Sequence, residues 1–266
     1  MRAFRKPNDH PPLITRREAL RRSALAAVAV AAGGCLGSTE TEAGENNARL
    51  NINVTAPSRT TAPGLYPLQL GVSRDGLLYV PTSYKPEVAA PIALLLHGAG
   101  RASNELVTPM RDHADKVGLI LLAVDSRSGT WDAIVNGVFF DDVQFIERAF
   151  AFAIDRVRVD ANRVRIAGFS DGGSYSLSLG LINGDLFTRV AAFSPGFVID
   201  GPRNGKPKFF MTHGTRDSIL PIDQTSRQIV PALKQLGYDV TYSEFDGDHG
   251  VTEELLLQAT TWLAST

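Results

Sequence analysis

Pro91-Ile92-Ala93-Leu94-Leu95-Leu96 is apolar at every position, and so is Leu119-Ile120-Leu121-Leu122-Ala123-Val124 after a polar, helix-like stretch. A strand with no polar face has no side to show to water, so both runs must be covered above and below, as in a parallel sheet with helices on each face. The same alternation continues down the chain. A helical pattern over 141–155 places Val143, Phe145, Ile146, Ala149, Phe150 and Ala153 on one broad apolar face, with Asp141 and Asp142 at its positive end. Strands are predicted at 163–167, 189–193, 208–212 and 240–245, and helices at 173–181, 222–236 and 253–264. Ahead of them, the runs 65–72 and 77–80 flank Ser73-Arg74-Asp75-Gly76, whose Asp-Gly favours a tight reversal and an antiparallel start. The predicted fold is α/β: a doubly wound, mostly parallel sheet with helices on both faces.

The amino-terminal residues are of another kind. Seven basic residues between Arg2 and Arg22 precede a short apolar run, 24–32, and Gly33-Gly34-Cys35, the layout of an export signal. That run is about half the roughly 20 residues a membrane-crossing helix needs. Thr15-Arg16-Arg17-Glu18-Ala19-Leu20-Arg21 resembles a twin-arginine signal. The small residues before Cys35, the one cysteine of the chain, resemble a bacterial lipoprotein cleavage box, which implies lipidation of Cys35; Ala29-Val30-Ala31 offers an ordinary cleavage site instead. One cysteine excludes an internal disulfide framework, a multi-cysteine zinc site and an iron–sulfur cluster. Residues 36–64, rich in Ser, Thr, Glu, Asn and Pro, read as a flexible linker, leaving 65–266 as a single domain. The formal net charge of −1 gives no field that would draw the chain onto nucleic acid.

In a doubly wound sheet the chemistry lies where strands end. Gly168-Phe169-Ser170-Asp171-Gly172 follows one predicted strand and opens the next helix, so Ser170 is the candidate nucleophile. A hydroxyl is a weak nucleophile until a base takes its proton, and that base needs an acid to fix its tautomer. Only His213 and His249 follow Ser170. Known enzymes that present a serine on such a turn carry nucleophile, acid and base in that order along the chain, which favours His249, in the turn Gly247-Asp248-His249-Gly250, over His213, which ends a strand. Asp217 follows the strand 208–212 and is the favoured acid; Asp223 is the runner-up, although its place at a helix start suits a cap. Two backbone N–H groups are expected to stabilise the oxyanion: that of Asp171, and that of Ala99 in His97-Gly98-Ala99-Gly100. His97 is expected to brace this loop. Trp131 is the candidate for a substrate-binding wall, with a half-buried packing role as the alternative.

These motifs, with Ser218-Ile219-Leu220-Pro221 after Asp217, resemble those of the α/β-hydrolase superfamily, in particular its phospholipase/carboxylesterase group. Polyhydroxybutyrate depolymerase-like and feruloyl-esterase-like proteins are similar. The resemblance implies a serine esterase that works through an acyl-enzyme on a small-molecule or polymeric ester, without metal or organic cofactor. Asp171 departs from the Gln or Asn those relatives often carry. An exported peptidase or amidase of the same fold, or an inactive binding lipoprotein, are the alternatives. The Gly- and Pro-rich residues 194–207 suit a surface loop, so no large cap domain and an open site are expected. Membrane attachment would come only through Cys35, and the expected place is the bacterial cell envelope or beyond.

Overall fold

A computed structural model describes residues 48–266, so the expected export segment, Cys35 and the linker up to residue 47 lie outside the described residues. From residue 64 onward, strands β1 (Gly64–Pro67), β2 (Gly76–Val80), β3 (Ala90–Leu96), β4 (Ile120–Val124), β5 (Val159–Phe169), β6 (Phe187–Phe193), β7 (Lys208–Gly214) and β8 (Val240–Phe245) form one sheet in the order β1-β2-β4-β3-β5-β6-β7-β8. The first two strands run antiparallel to their neighbours and all other pairings are parallel. Among the described residues the α-helices are α1 (Asn104–Val117), α2 (Asp132–Asn136), α3 (Asp141–Ile154), α4 (Asp171–Ile182), α5 (Ser226–Gln235) and α6 (Glu253–Ala264).

The alternation of side chains along each strand decides what covers it. Ile92, Leu94 and Leu96 of β3 point to the face carrying α3, α4 and α5, where they share one core with residues such as Ile146, Leu177 and Ile229. Ala93 and Leu95 point to the opposite face, onto Met110 of α1 and Ala259 of α6. On that second face Ala93, Ala123, Ala167 and Ala191 are small, so two helices suffice to seal it. Each large aliphatic side chain so buried contributes about 1.5–3 kcal/mol, which holds the strand register.

The structure corrects three boundaries. The linker expected to run to Gly64 is already packed at its described end: Ala48 and Leu50 are buried, the Asn183 amide at the end of α4 donates to Ala48 O (2.8 Å) and accepts from Leu50 N (2.9 Å), and Arg49 pairs with Asp185 at 2.8 Å. Backbone groups in that polar stretch thus find partners on the domain, which composition does not reveal. The tight reversal at Asp75-Gly76 is absent. β1 ends at Pro67, and the connection is a longer loop that Asp75 closes by accepting from Leu70 N at 3.0 Å. Finally, the helix expected over 222–236 breaks at Thr225 (φ −128°, ψ −101°), separating a 3-10 turn, Ile222–Gln224, from α5. Residues 194–207 contain no helix.

Candidate active site

Ser170 sits between the end of β5 and the first residue of α4 with φ 56° and ψ −117°, a left-handed geometry that costs roughly 1–3 kcal/mol for a non-glycine residue. Its neighbours are chosen to make the turn possible. A Cβ on Gly168 would overlap the Gly172 carbonyl, and one on Gly172 would overlap the carbonyls of Leu96 and His97, so only glycine lets the strand, the helix and the loop after β3 come together here. The turn is pinned by Ser170 N–H donating to Phe193 O at 2.9 Å.

Residues from three strand ends converge on the serine. His249 Nε2 lies 2.8 Å from Ser170 Oγ, and His249 Nδ1 lies 2.6 Å from Asp217 Oδ2. The other oxygen of Asp217 accepts from the backbone N–H groups of Ile219 (2.9 Å) and Leu220 (2.7 Å), which fixes the carboxylate's plane. Asp223, the alternative acid, is exposed and pairs instead with Arg227 at 2.7 Å. The Phe169 ring packs against the His249 imidazole with centroids 4.9 Å apart. Among the described residues no group of three or more His, Cys, Asp or Glu could hold a metal ion.

The loop after β3 is braced from every side. His97 is buried, and burial pushes its imidazole below the ordinary range. Its Nε2 accepts from Ser126 N–H at 2.9 Å, so the proton is on Nδ1, 2.7 Å from Gly98 O. Gly98 N–H donates to Glu105 Oε2 at 2.7 Å, Gly100 N–H to Gly129 O at 2.7 Å and Arg101 N–H to Gly98 O at 3.1 Å. Between Gly98 and Arg101, Ala99 N–H is left without a partner among the described residues, as is Asp171 N–H at the start of α4. The Asp171 carboxylate accepts from Thr130 Oγ1 at 2.7 Å.

Trp131 does not form a substrate wall. It is fully buried, donates from Nε1 to His97 O at 2.9 Å, and lies between the His97 ring (4.8 Å) and the Tyr175 ring (5.1 Å). The indole therefore supports the loop from behind. Trp131→Ala is expected to destabilise the fold by about 3–5 kcal/mol, lowering the thermal midpoint by roughly 10 °C, with little change in the ratio of rates between substrates. A stable variant with altered preference would restore Trp131 to the wall. Asp142 stands in the first turn of α3 as expected and has a further role. It is buried, accepts from Arg127 N and Asp132 N at 2.6 Å each, and burial pushes its carboxyl up to about 6; it ties the loop carrying Trp131 to α3.

Beside Phe169 a cavity of about 580 Å³ opens between α1 and α6, with Leu106, Val251 and Leu256 on its walls and Glu105 and Glu253 among its polar groups. No lysine or arginine lines it among the described residues.

The phospholipase/carboxylesterase family model matches residues 140–266, which include Ser170, Asp217 and His249. Among solved structures, FphF of Staphylococcus aureus, described as a fluorophosphonate-binding serine hydrolase, superposes with a TM-score of 0.64 at 14% identity, covering 77% of this chain and 100% of that one. The chain has the α/β-hydrolase fold. The ferulic acid esterase of Anaeromyces mucronatus shares it, with a TM-score of 0.56 at 17% identity, covering 82% of this chain and 98% of that one. The bifunctional acetylxylan esterase/xylanase XynS20E of Neocallimastix patriciarum is 27% identical over 167 residues, 60% of this chain. The chain spans 24% of the length of that relative and 42% of another at the same identity.

Within this α/β-hydrolase fold two neighbours of the site take roles that the sequence reading did not assign to them. Glu105 reads as an acid in the first turn of a helix, and only the folded loop turns its carboxylate onto Gly98 N–H. Burial pushes that carboxyl up, while the Gly98 N–H and Arg101 oppose the shift. His213 was set aside as a base because it precedes the acid; the structure places its ring against Asp217.

Proposed function

We propose that this chain is a serine hydrolase of carboxylic esters. The observation that carries the reading is the unbroken line of hydrogen-bonding distances from Asp217 through His249 to a strained Ser170 at a helix amino terminus. Ser170 Oγ attacks the ester carbonyl while His249 Nε2 takes its proton. The tetrahedral oxyanion is held by the N–H groups of Ala99 and Asp171, both without a partner among the described residues. Collapse expels the alcohol with the proton returned from His249, leaving an acyl-Ser170. Water, deprotonated by the same imidazole, releases the acid and restores the serine. Thr130 Oγ1 donates to the Asp171 carboxylate, which offsets part of its negative charge beside the site. The family match and the esterase relative support the choice of ester.

The test is turnover of soluble aryl esters by the purified chain, with matched anilides and labelling by a fluorophosphonate probe. Ester hydrolysis and labelling that vanish together in Ser170→Ala are expected; hydrolysis of anilides at comparable rates would favour an amidase, and no labelling of folded protein would favour a binding role. With Glu105, Asp112 and Glu253 on the cavity and no lysine or arginine among its lining residues, carboxylate-bearing esters are expected to react at least about tenfold more slowly than neutral ones of equal size, at low ionic strength. Equal rates across that series would show that the cavity does not hold the substrate. Because residues 194–207 build no cap helix, no jump in rate is expected when a substrate passes into aggregates.

We further propose that the amino-terminal segment exports the enzyme and that Cys35 becomes its lipidated first residue. Cys35→Ser is then expected to release the enzyme from membranes or stall its maturation in fractionated cells; unchanged attachment and processing would point to an ordinary signal.

A further inference from the structure

We propose that His213 is a positioning residue for Asp217, an inference that rests on the ester-hydrolase reading above. His213 stands at the end of β7 with its side chain fully buried. Nδ1 is 2.7 Å from Ser226 Oγ, and Nε2 is 2.8 Å from Leu220 O and 3.1 Å from Asp217 Oδ2. A backbone carbonyl accepts and never donates, so Nε2 carries the proton and Nδ1 accepts from the Ser226 hydroxyl. Burial pushes this imidazole below its ordinary range, which keeps the ring neutral and the tautomer unambiguous.

One N–H thus faces two acceptors, and both bear on the acid. Leu220, whose carbonyl it holds, donates its own N–H to Asp217 Oδ1 at 2.7 Å, so His213 clamps the turn that orients one carboxylate oxygen. The other oxygen, Oδ2, lies 3.1 Å from His213 Nε2, whose hydrogen bond goes to Leu220 O, and 2.6 Å from His249 Nδ1. Oδ1 of Asp217 is therefore held by the turn that His213 clamps, while Oδ2 lies between the two imidazoles, and together these fix the direction of the carboxylate toward His249. A side chain needed only to fill this space would be better apolar, because burying an imidazole costs solvation that its hydrogen bonds merely recover. The polar ring is retained where its N–H direction matters.

The test compares His213→Leu, which has no donor, with His213→Gln, whose amide N–H reaches the Nε2 position, and His213→Asn, whose shorter amide reaches only the Nδ1 position. Each is made in the full chain, and kcat, KM and the thermal midpoint are measured on a soluble aryl ester. Misplacing a catalytic group by about an ångström costs up to roughly 100-fold. His213→Leu is expected to lower kcat by roughly 10- to 100-fold with KM within about twofold. Gln is expected to recover most of the loss and Asn little of it. Combined with Asp217→Asn, the Leu substitution is expected to cost less than about threefold more, since residues acting as one unit are not additive. A folded His213→Leu enzyme with unchanged kcat would overturn the proposal, as would equal activity in the Gln and Asn variants or fully additive losses in the double variant. If His213→Leu does not fold, the Gln–Asn comparison decides. A wild-type chain that neither hydrolyses esters nor labels would remove the reading beneath the proposal, and the proposal with it.

Discussion

Ser170→Ala and His249→Ala are each expected to lower kcat on any ester this chain hydrolyses by roughly 10⁴- to 10⁶-fold, with the double variant hardly worse than either single one. The size follows from the geometry. Ser170 Oγ has one partner, His249 Nε2 at 2.8 Å, and without either atom no proton leaves the nucleophile. Residual rate would come from the oxyanion donors alone. The fold is expected to survive. Ser170 N–H still reaches Phe193 O, alanine meets the same left-handed backbone cost as serine, and His249 lies in a partly exposed loop whose removal opens no core cavity. Activity, fluorophosphonate labelling and thermal midpoints on purified protein check this together. More than about one part in a hundred of wild-type kcat in either folded variant would sink the assignment.

Asp217→Asn is expected to cost roughly 10³- to 10⁴-fold in kcat with the shape of the site unchanged. Asparagine can keep its carbonyl oxygen on the N–H groups of Ile219 and Leu220, now 2.9 and 2.7 Å from Oδ1. Its amide then faces His249 Nδ1, where the carboxylate oxygen lies at 2.6 Å. A donor at that place makes Nδ1 the acceptor and moves the ring proton to Nε2, the nitrogen that must take the proton of Ser170. Asp223→Asn is the matched control, because Asp223 is exposed and tied to Arg227; it should retain nearly full activity. A loss of similar size in both variants, or in neither, would remove Asp217 from the role of acid.

Much of this was legible before any fold was known, because some signals are local. Strands apolar on both faces, a helix with one apolar stripe, and Gly168 and Gly172 on either side of Ser170 state their requirements within a few residues, and the structure bears out the doubly wound sheet they imply. The order of Ser170, Asp217 and His249 at strand ends was legible for the same reason: in a parallel sheet, the carboxyl ends of β5 and β7 and the loop after β8 must share one edge.

What remained hidden depended on which distant groups meet. Residues 48–50 looked like tether because nothing near them in the chain pairs their backbone; Asn183 does so from α4. Trp131 looked equally suited to a wall or a core, and the packing of His97 and Tyr175 around it decided for the core. Glu105 carried no motif, and His213 opened the motif His213-Gly214-Thr215-Arg216-Asp217 with no role assigned to it; in the structure one accepts from the loop beside the serine and the other stands 3.1 Å from Asp217. Sequence by itself determined the sheet, the elbow and the three residues that converge there, since periodicity and turn chemistry are properties of neighbouring residues. The tertiary structure alone decided which polar side chains brace them, because a buried hydrogen-bond donor takes whatever acceptor the assembled chain brings within about 3 Å, however far away it lies in sequence.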